Sequence, residues 1–348
     1  MRTALFGLSG FGALHYRVLT EAHARGEVSL DAAVVINPEE VSERCDVLRS
    51  LGCRIYGNSH EFWERERGRI DLTFLPTSIA SHAPLSIEAL ENGSHVYVEK
   101  PFTGTLQEAD ACIEAARRTG KQLFVGFQDL YNPQNRRVKE MVLRGDFGRI
   151  RTIKGWGSWP RPLSYFQRNG WAGRLRAGDG WTLDSPLNNA MAHFFVLMLF
   201  WAGATPSTLA TPRRITGDLF RVQDIESFDT ASLRVETEEG PEVFYAITHS
   251  GEDNVAPYLY LEGEQGWLEW VHAKGMRWEN RHGKGEDPDV LQGGGLHQIV
   301  LDEVLRAIEG GSGAWGVAPE EARKHVLCVN ALHEHVPISE SLKPAAVE

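Results

Sequence analysis

The chain changes its hydrophobic rhythm near residue 126. Before that point, short apolar runs at 3–6, 30–36, 54–56, 71–75, 95–98 and 122–125 predict strands. The segments between them predict helices at 15–24, 38–51, 59–65, 84–92 and 106–119. These strands are apolar almost throughout instead of alternating, as burial on both faces requires. Single helices between successive strands imply βαβ units, hence a parallel sheet covered on both sides. After residue 126, longer alternating stretches at 149–155, 230–237, 242–249 and 258–262 predict antiparallel strands with one solvated face. One strongly apolar segment interrupts them at 186–202, where Ser185 as N-cap and Pro186 at the first helical position predict a helix. Closing helices are expected at 296–309 and 319–333. The pattern contains no repeat and no low-complexity linker. It predicts an α/β fold of two domains: 1–125 with a parallel sheet, and 126–348 of α+β type with a large, mostly antiparallel open sheet. A C-terminal helix packing back on the first domain is compatible with this division.

A length of 348 residues suits two domains. The net charge of −11 argues against nucleic acid or an anionic membrane as the main partner, since either calls for a basic surface. No apolar run reaches the ~18 residues of a membrane span. The first residues lack the apolar core and cleavage site of a signal peptide and run straight into a strand. Cys45, Cys53, Cys112 and Cys328 are scattered without C-x-x-C or zinc spacing, so reduced thiols in a cytoplasmic protein with no bound metal are expected. The later His333-Glu334-His335 does not change this, because residues two apart on a helix face different directions.

The first strand ends in Gly7-Leu8-Ser9-Gly10-Phe11-Gly12. In a G-x-G-x-x-G turn, glycines permit a tight turn, close approach to a pyrophosphate and packing of the next helix on the strand. Gly7 and Gly12 fill the outer positions, and Ser9 stands at the middle one with Gly10 beside it. A strand before and a helix after give the context in which a pyrophosphate sits at the helix N-terminus. A tight turn without ligand is the competing reading. The second strand ends in Ile36-Asn37-Pro38-Glu39, without the acid that holds an adenosine ribose. Asn37 still bonds a hydroxyl and does not repel a 2′-phosphate, and Arg44 is the nearest arginine. NAD and NADP both remain open.

His95-Val96-Tyr97-Val98-Glu99-Lys100-Pro101 places two ionisable groups at the carboxyl end of a buried strand, where open α/β sheets bind ligands. With the preceding Ala89-Leu90-Glu91-Asn92-Gly93-Ser94, and with Gly126-Phe127-Gln128, Pro133 and Gly145-Asp146-Phe147-Gly148-Arg149-Ile150, it resembles the glucose-fructose oxidoreductase / inositol dehydrogenase / rhizopine catabolism oxidoreductase family. The resemblance covers the first 150 residues well and the remainder patchily. It implies a Rossmann dinucleotide-binding domain, NAD or NADP as cofactor, and a carbohydrate or polyol substrate. Assembly as a homodimer or homotetramer is expected on the same ground. It implies that Lys100 lies between nicotinamide and substrate and moves the hydroxyl proton. A lysine that is partly desolvated beside a cationic ring deprotonates more readily. By the same resemblance Gly7, Ser9, Gly10, Phe11, Gly12, Asn37, Thr77, His82, Glu99, Lys100, Pro101 and Gln128 surround the cofactor. The stretch 76–82 is about two residues longer than usual for the family, so a capping or core role for His82 stands beside the cofactor role. A structural ion pair between Glu99 and Lys100 is the competing reading.

Asp184-Ser185-Pro186-Leu187-Asn188-Asn189-Ala190-Met191-Ala192-His193 occupies the place of the family's second catalytic segment. His193 matches its histidine, whereas Asn189 stands for an aspartate and Val196 for another. If the segment is helical, Asn189 and His193 share a face at i and i+4. Asn189 can orient a hydroxyl, and Asp184 is a nearby carboxylate or simply a turn residue. His193 itself is either the relay or a satisfied core histidine. Trp156, Trp159, Tyr165, Phe166, Trp171 and Trp181 are interleaved with Arg161, Arg168 and Arg174. Rings stack on sugar C–H faces and arginines hold hydroxyls or carboxylates, though the same residues also build cores and interfaces. Substrate contacts are therefore expected from Lys100, Trp171, Arg174, Asp184, Asn189 and His193. The functional expectation is an NAD(P)-dependent oxidoreductase acting on CH–OH groups, with Lys100, His193 and Asn189 as its catalytic set. Two rivals are a recycled bound NAD serving elimination or glycoside cleavage, and a dinucleotide-binding regulator without catalysis.

Overall fold

In the computed structural model the described residues are 1–289, 291, 295–311 and 316–340. They divide into two compact units, one of Met1–Gly126 with the described part of His297–Arg323, the other of the described parts of Phe127–Leu296 and Lys324–Glu348.

The first unit holds six strands: β1 (Arg2–Phe6), β2 (Ser29–Val34), β3 (Arg54–Tyr56), β4 (Leu72–Leu75), β5 (His95–Glu99) and β6 (Leu123–Gly126). The helices between them are α1 (Gly12–Ala24), α2 (Ser42–Ser50), α3 (Ser59–Glu66), α4 (Ile79–Glu91) and α5 (Leu106–Thr119). All strand pairs are parallel and the order is β3-β2-β1-β4-β5-β6. Chain order reverses between β1 and β4, which is where open α/β sheets form a crevice at the strand ends. The continuous apolar runs are explained by helices on both faces, as β4 and β6 are buried at every residue. α4 departs from expectation. Pro84 suggests a first helical position, yet the helix starts at Ile79, where Ser81 N donates to Ser78 O at 2.9 Å and opens the first turn. His82 thereby lies inside the helix.

The second unit holds α6 (Pro133–Leu143), β7 (Ile150–Ser158), α7 (Leu163–Phe166), a short hairpin of β8 (Arg176–Ala177) and β9 (Gly180–Trp181), and α8 (Ala192–Ala202). Strands β10 (Pro212–Arg221), β11 (Thr230–Thr237), β12 (Glu242–Thr248), β13 (Val255–Gly263), β14 (Gly266–Val271), β15 (Gly275–Asn280), β16 (Gly283–Pro288) and β17 (Ile338–Glu340) follow. Nine strands form one sheet in the order β16-β15-β14-β13-β7-β12-β11-β10-β17, mostly antiparallel, with parallel pairs at β7–β12 and β10–β17. Burial alternates along β11 and β12, so one face is covered and the other is open. Among the described residues no helix is long and apolar enough to cross a membrane.

α8 covers the sheet, and all eleven of its residues are buried, the state expected of a helix apolar on every side. Gly155 of β7 makes room for it: a Cβ there would meet Leu259 at 2.7 Å, Met198 at 2.9 Å and Tyr245 at 3.0 Å. The helix starts at Ala192, six residues after the expected Pro186; the intervening residues are turns. Ser185 Oγ does accept from Asn188 N at 3.1 Å, but Met191 N bonds Pro186 O, a wider turn than a helix makes. Met191 O is in turn held by the Tyr245 hydroxyl at 2.9 Å. At the far end Lys139, 1% exposed, donates to the carbonyls of Phe200, Gly203 and Thr208. A cation at a helix C-terminus answers both the free carbonyls and the dipole. Lys139→Met keeps much of the stem but orphans these acceptors, so a stability loss of about 2–4 kcal/mol is expected. Urea denaturation checks it: the midpoint falls with little change in slope, and an unmoved midpoint means the carbonyls find water instead.

Candidate active site

In the first unit the glycine turn follows β1 at the switch point. Gly7 has φ +92° and Gly10 φ +55°, conformations that favour glycine. Gly12 is constrained by space instead: a Cβ would lie 2.5 Å from Gly7 O. α1 has no side-chain cap at its N-terminus, and Phe11 beside it is 45% exposed. Arg44 donates to the carbonyl of Leu8, so an arginine 36 residues away in sequence is brought to the turn. Asn37 is exposed and bonds Glu40 at 3.1 Å. The Thr77 hydroxyl oxygen is buried with no hydrogen-bond partner among the described residues.

The end of β5 is fixed by a buried carboxylate. Glu99 is 4% exposed; its Oε1 accepts from His15 Nε2 at 2.8 Å and its Oε2 from the Lys100 amide at 3.2 Å. On the neighbouring strand a Cβ at Gly126 would come within 2.9 Å of that carboxylate, so glycine is required there. Burial alone pushes the Glu99 carboxyl up, but the His15 hydrogen bond and the charges of His15 and Lys100 hold it below its ordinary value. The Lys100–Pro101 peptide is cis. His82, 1% exposed, meets Pro101 O at 2.8 Å through Nδ1 and Thr77 O at 3.1 Å through Nε2. Burial lowers its pKa, and a neutral ring donates only one of these bonds. His82 thus lies between the Pro101 and Thr77 carbonyls inside the unit, and the single proton of its neutral ring bonds one of them. Sequence reasoning missed His15 and His297. His297 opens the helix Gly295–Ile308, its ring 5.9 Å from Phe11 and 6.1 Å from His15, and burial pushes its pKa down to about 4.

In the second unit His193 is 9% exposed at the start of α8, its ring edge-on to Phe127. Its Nε2 lies 3.4 Å from Gln128 Nε2, and its Nδ1 lies 4.0 Å from Asp129 Oδ2. Both partners come from the 3₁₀ turn Gln128–Tyr131 directly after β6. Asn189 donates to Asp184 Oδ1 at 2.8 Å, while Asp184 Oδ2 accepts from Gly173 N at 2.7 Å. Because α8 starts at Ala192, Asn189 lies on the preceding turn and does not share a helix face with His193. Asp184 thus ties the tryptophan-rich loop to the approach of α8. Arg174 is exposed, 3.8 Å from Glu226. Trp171 lies under Arg168, whose guanidinium also sits 3.6 Å from the Tyr165 ring centre, with Arg161 at 4.7 Å. Asp129 is the site residue that local patterns did not reveal. Among the described residues no group of three His, Cys, Asp or Glu side chains is arranged to hold a metal.

The signs of these shifts set a pH dependence. Glu99, held low, contributes stability above its ordinary 4.5 and loses it as pH falls through its folded value. His82 and His297 are held neutral, so their contribution is complete above the ordinary 6.5 and declines on acidification, for His297 toward about 4. The first unit is therefore expected to lose stability between pH 6.5 and 4. Urea titrations across that range test it. His297→Phe, which keeps a ring in place, flattens the slope by up to about 1.4 kcal/mol per pH unit; an unchanged slope removes His297 from the account.

Residues 1–127 match the Gfo/Idh/MocA family model, described as an oxidoreductase family with an NAD-binding Rossmann fold. The chain is 28% identical over 157 residues to scyllo-inositol 2-dehydrogenase (NAD(+)) of Bacillus subtilis, covering 45% of this chain and 44% of that protein. It is 27% identical over 177 residues to Myo-inositol 2-dehydrogenase of Thermotoga maritima, covering 49% of each. The match thus spans about half the length of these relatives. The WlbA dehydrogenase from Chromobacterium violaceum, solved in complex with NADH and UDP-GlcNAcA, superposes with a TM-score of 0.79 at 20% identity, over 96% of this chain and 93% of that one. That likeness extends the shared fold to both sheets. Residues 1–127 are therefore similar to the NAD-binding Rossmann domain of the glucose-fructose oxidoreductase / inositol dehydrogenase / rhizopine catabolism oxidoreductase family.

Proposed function

We propose that the protein is an NAD(P)-dependent oxidoreductase that interconverts a secondary alcohol and a ketone on a sugar, inositol or related polyol. The observation that carries this reading is Lys100, set at the carboxyl end of β5 by the Glu99–His15 pair within the family-matched domain. The residues around the turn suit a dinucleotide. Gly12 leaves no Cβ against the backbone of Gly7, α1 has no side-chain cap at its positive end, and the Thr77 hydroxyl oxygen lacks a partner among the described residues. When bound, the dinucleotide supplies the acceptor or donor of hydride. The chain's own residues handle position and protons. Lys100 takes the hydroxyl proton as the alcohol is oxidised, and His193 relays it or orients the hydroxyl. Asn189 and Asp184 order the loop that carries Trp171 and Arg174, where rings and guanidinium groups suit a polyol. Asn37 and Arg44 place no carboxylate against a 2′-phosphate, so both NAD and NADP belong in the assay.

The test is reduction of NAD or NADP, followed at 340 nm, across sugars, inositols and sugar acids. Turnover of one class is expected, falling about 100-fold to 10,000-fold in Lys100→Ala and His193→Ala with dinucleotide affinity kept. Dinucleotide binding without turnover of any member, or turnover unaffected by Lys100→Ala, defeats the reading. A bound NAD recycled during elimination would show as substrate consumed with no net change at 340 nm.

The same reading has copies of the chain assembling through the open face of the nine-stranded sheet, where Trp156, 43% exposed, stacks on Tyr258 at 4.2 Å. Sedimentation should show a dimer or tetramer that Trp156→Glu weakens; a wild-type monomer at micromolar concentration rules it out.

A further inference from the structure

An imidazole that relays a proton works through one ring nitrogen only when the other is held by an acceptor, which sets the tautomer and stabilises the cation. The sequence offers His193 no such group at the positions first expected. Asn189 is neutral and donates to Asp184, and Val196 is apolar and buried. We propose that Asp129 is the positioning carboxylate of His193, supplied from the turn after β6 instead of from the approach to α8. The proposal rests on the reading of His193 as a proton relay.

The geometry carries it in three steps. First, consecutive residues of one turn bracket the ring: Gln128 stands 3.4 Å from Nε2 and Asp129 4.0 Å from Nδ1. A carboxylate oxygen can only accept, so the tautomer that pairs with Asp129 carries its proton on Nδ1 and leaves Nε2 to accept from the Gln128 amide. The opposite tautomer would turn the Nδ1 lone pair on the carboxylate. Second, the turn is pinned. Asn135, itself buried, donates its amide to Asp129 O at 2.8 Å, and Asn132 N donates to the same oxygen at 3.3 Å. Third, His193 is equally fixed, because the Tyr245 hydroxyl holds Met191 O and Phe127 packs against the ring. At 4.0 Å the contact is an ion pair that forms when the ring is protonated, or a bond that shortens when substrate is seated. His325 packs on the same phenyl ring as His193, its ring 5.5 Å from Phe127 and its Nε2 3.0 Å from Leu187 O, while Asp184, ahead of α8, is joined to Asn189. Both are left intact by the substitution that tests the pair.

The test is a titration of the full-length protein labelled with ¹³C-histidine, with the His193 signal assigned by its loss in His193→Gln. Asp129→Asn is expected to lower the His193 midpoint by about one unit, the low end of what an opposite charge at this range produces. Asp129→Glu should keep most of the wild-type value. A purely structural role for Asp129 would move none of these in that order. If Asp129→Asn does not fold, Asp129→Ser serves the same comparison. With a substrate from the polyol panel, kcat should fall at least about tenfold in Asp129→Asn, and its acidic limb should shift in the same direction as the midpoint. An unmoved midpoint overturns the pairing even if polyols turn over. A midpoint that depends on Asp129 in a protein that turns over no polyol upholds the pairing and defeats the catalytic reading instead.

Discussion

A carboxylate buried in an apolar sheet survives only if its lone pairs are answered, and in the first unit that requirement organises everything around Lys100. Glu99 takes one bond from α1 through His15 and another from the backbone amide that follows it. The first ties the helix after the glycine turn to β5; the second fixes the direction in which the chain leaves the strand. Its bulk also dictates glycine at position 126, its register partner on β6. Removing the negative charge would leave His15 without its acceptor and Lys100 N without its anchor at once. His82 completes the restraint from the other side by holding Pro101 O. The backbone of Lys100 is thus fixed on both sides, by Glu99 through its amide and by His82 through the carbonyl of the next residue.

The second unit solves a comparable problem with a helix. α8 has no polar face to orient it, so its rotation and height cannot come from amphipathicity. They come from its ends. Lys139 gathers the carbonyls at the C-terminus, and Tyr245 holds the last carbonyl before the helix begins. Between them, Gly155 lets the helix approach β7 closely. His193 stands in the first turn, one residue inside the fixed end, so little conformational freedom separates it from the sheet.

Much of this was legible in the sequence, and the reasons are local. Buried parallel strands announce themselves by continuous apolar runs, and the sheet order follows once helices intervene. The glycine turn and Glu99-Lys100-Pro101 carry meaning in short spans because backbone geometry demands particular residues there. What escaped is what depends on distant pairing. His15 meets Glu99 across 84 positions, and no local pattern predicts the match. Ser185 and Pro186 gave a sound helix signal, yet the chain makes turns until Ala192. The resemblance puts Asp184 and Asn189 among the substrate contacts with His193; in the structure they bond each other, and Asp184 also takes the Gly173 amide, a link no local pattern announces.

The case of Asp129 shows why a missing residue in a local pattern is weak evidence for missing chemistry. A relay histidine needs an acceptor near one ring nitrogen; it does not need that acceptor on its own element. The turn after β6 is 65 positions from His193 along the chain at Gln128, but only a few ångströms away in space. An acid at the next residue meets the same electrostatic demand as one preceding α8. Moving the carboxylate also frees Asn189 for another task, holding Asp184 and through it the loop around Gly173. Replacement of an aspartate by asparagine then reads as a redistribution of roles within one unit. Had the turn carried a neutral or basic side chain at 129, the same Asn189 would argue for a binding module; the acid there is what tilts the balance toward a working relay.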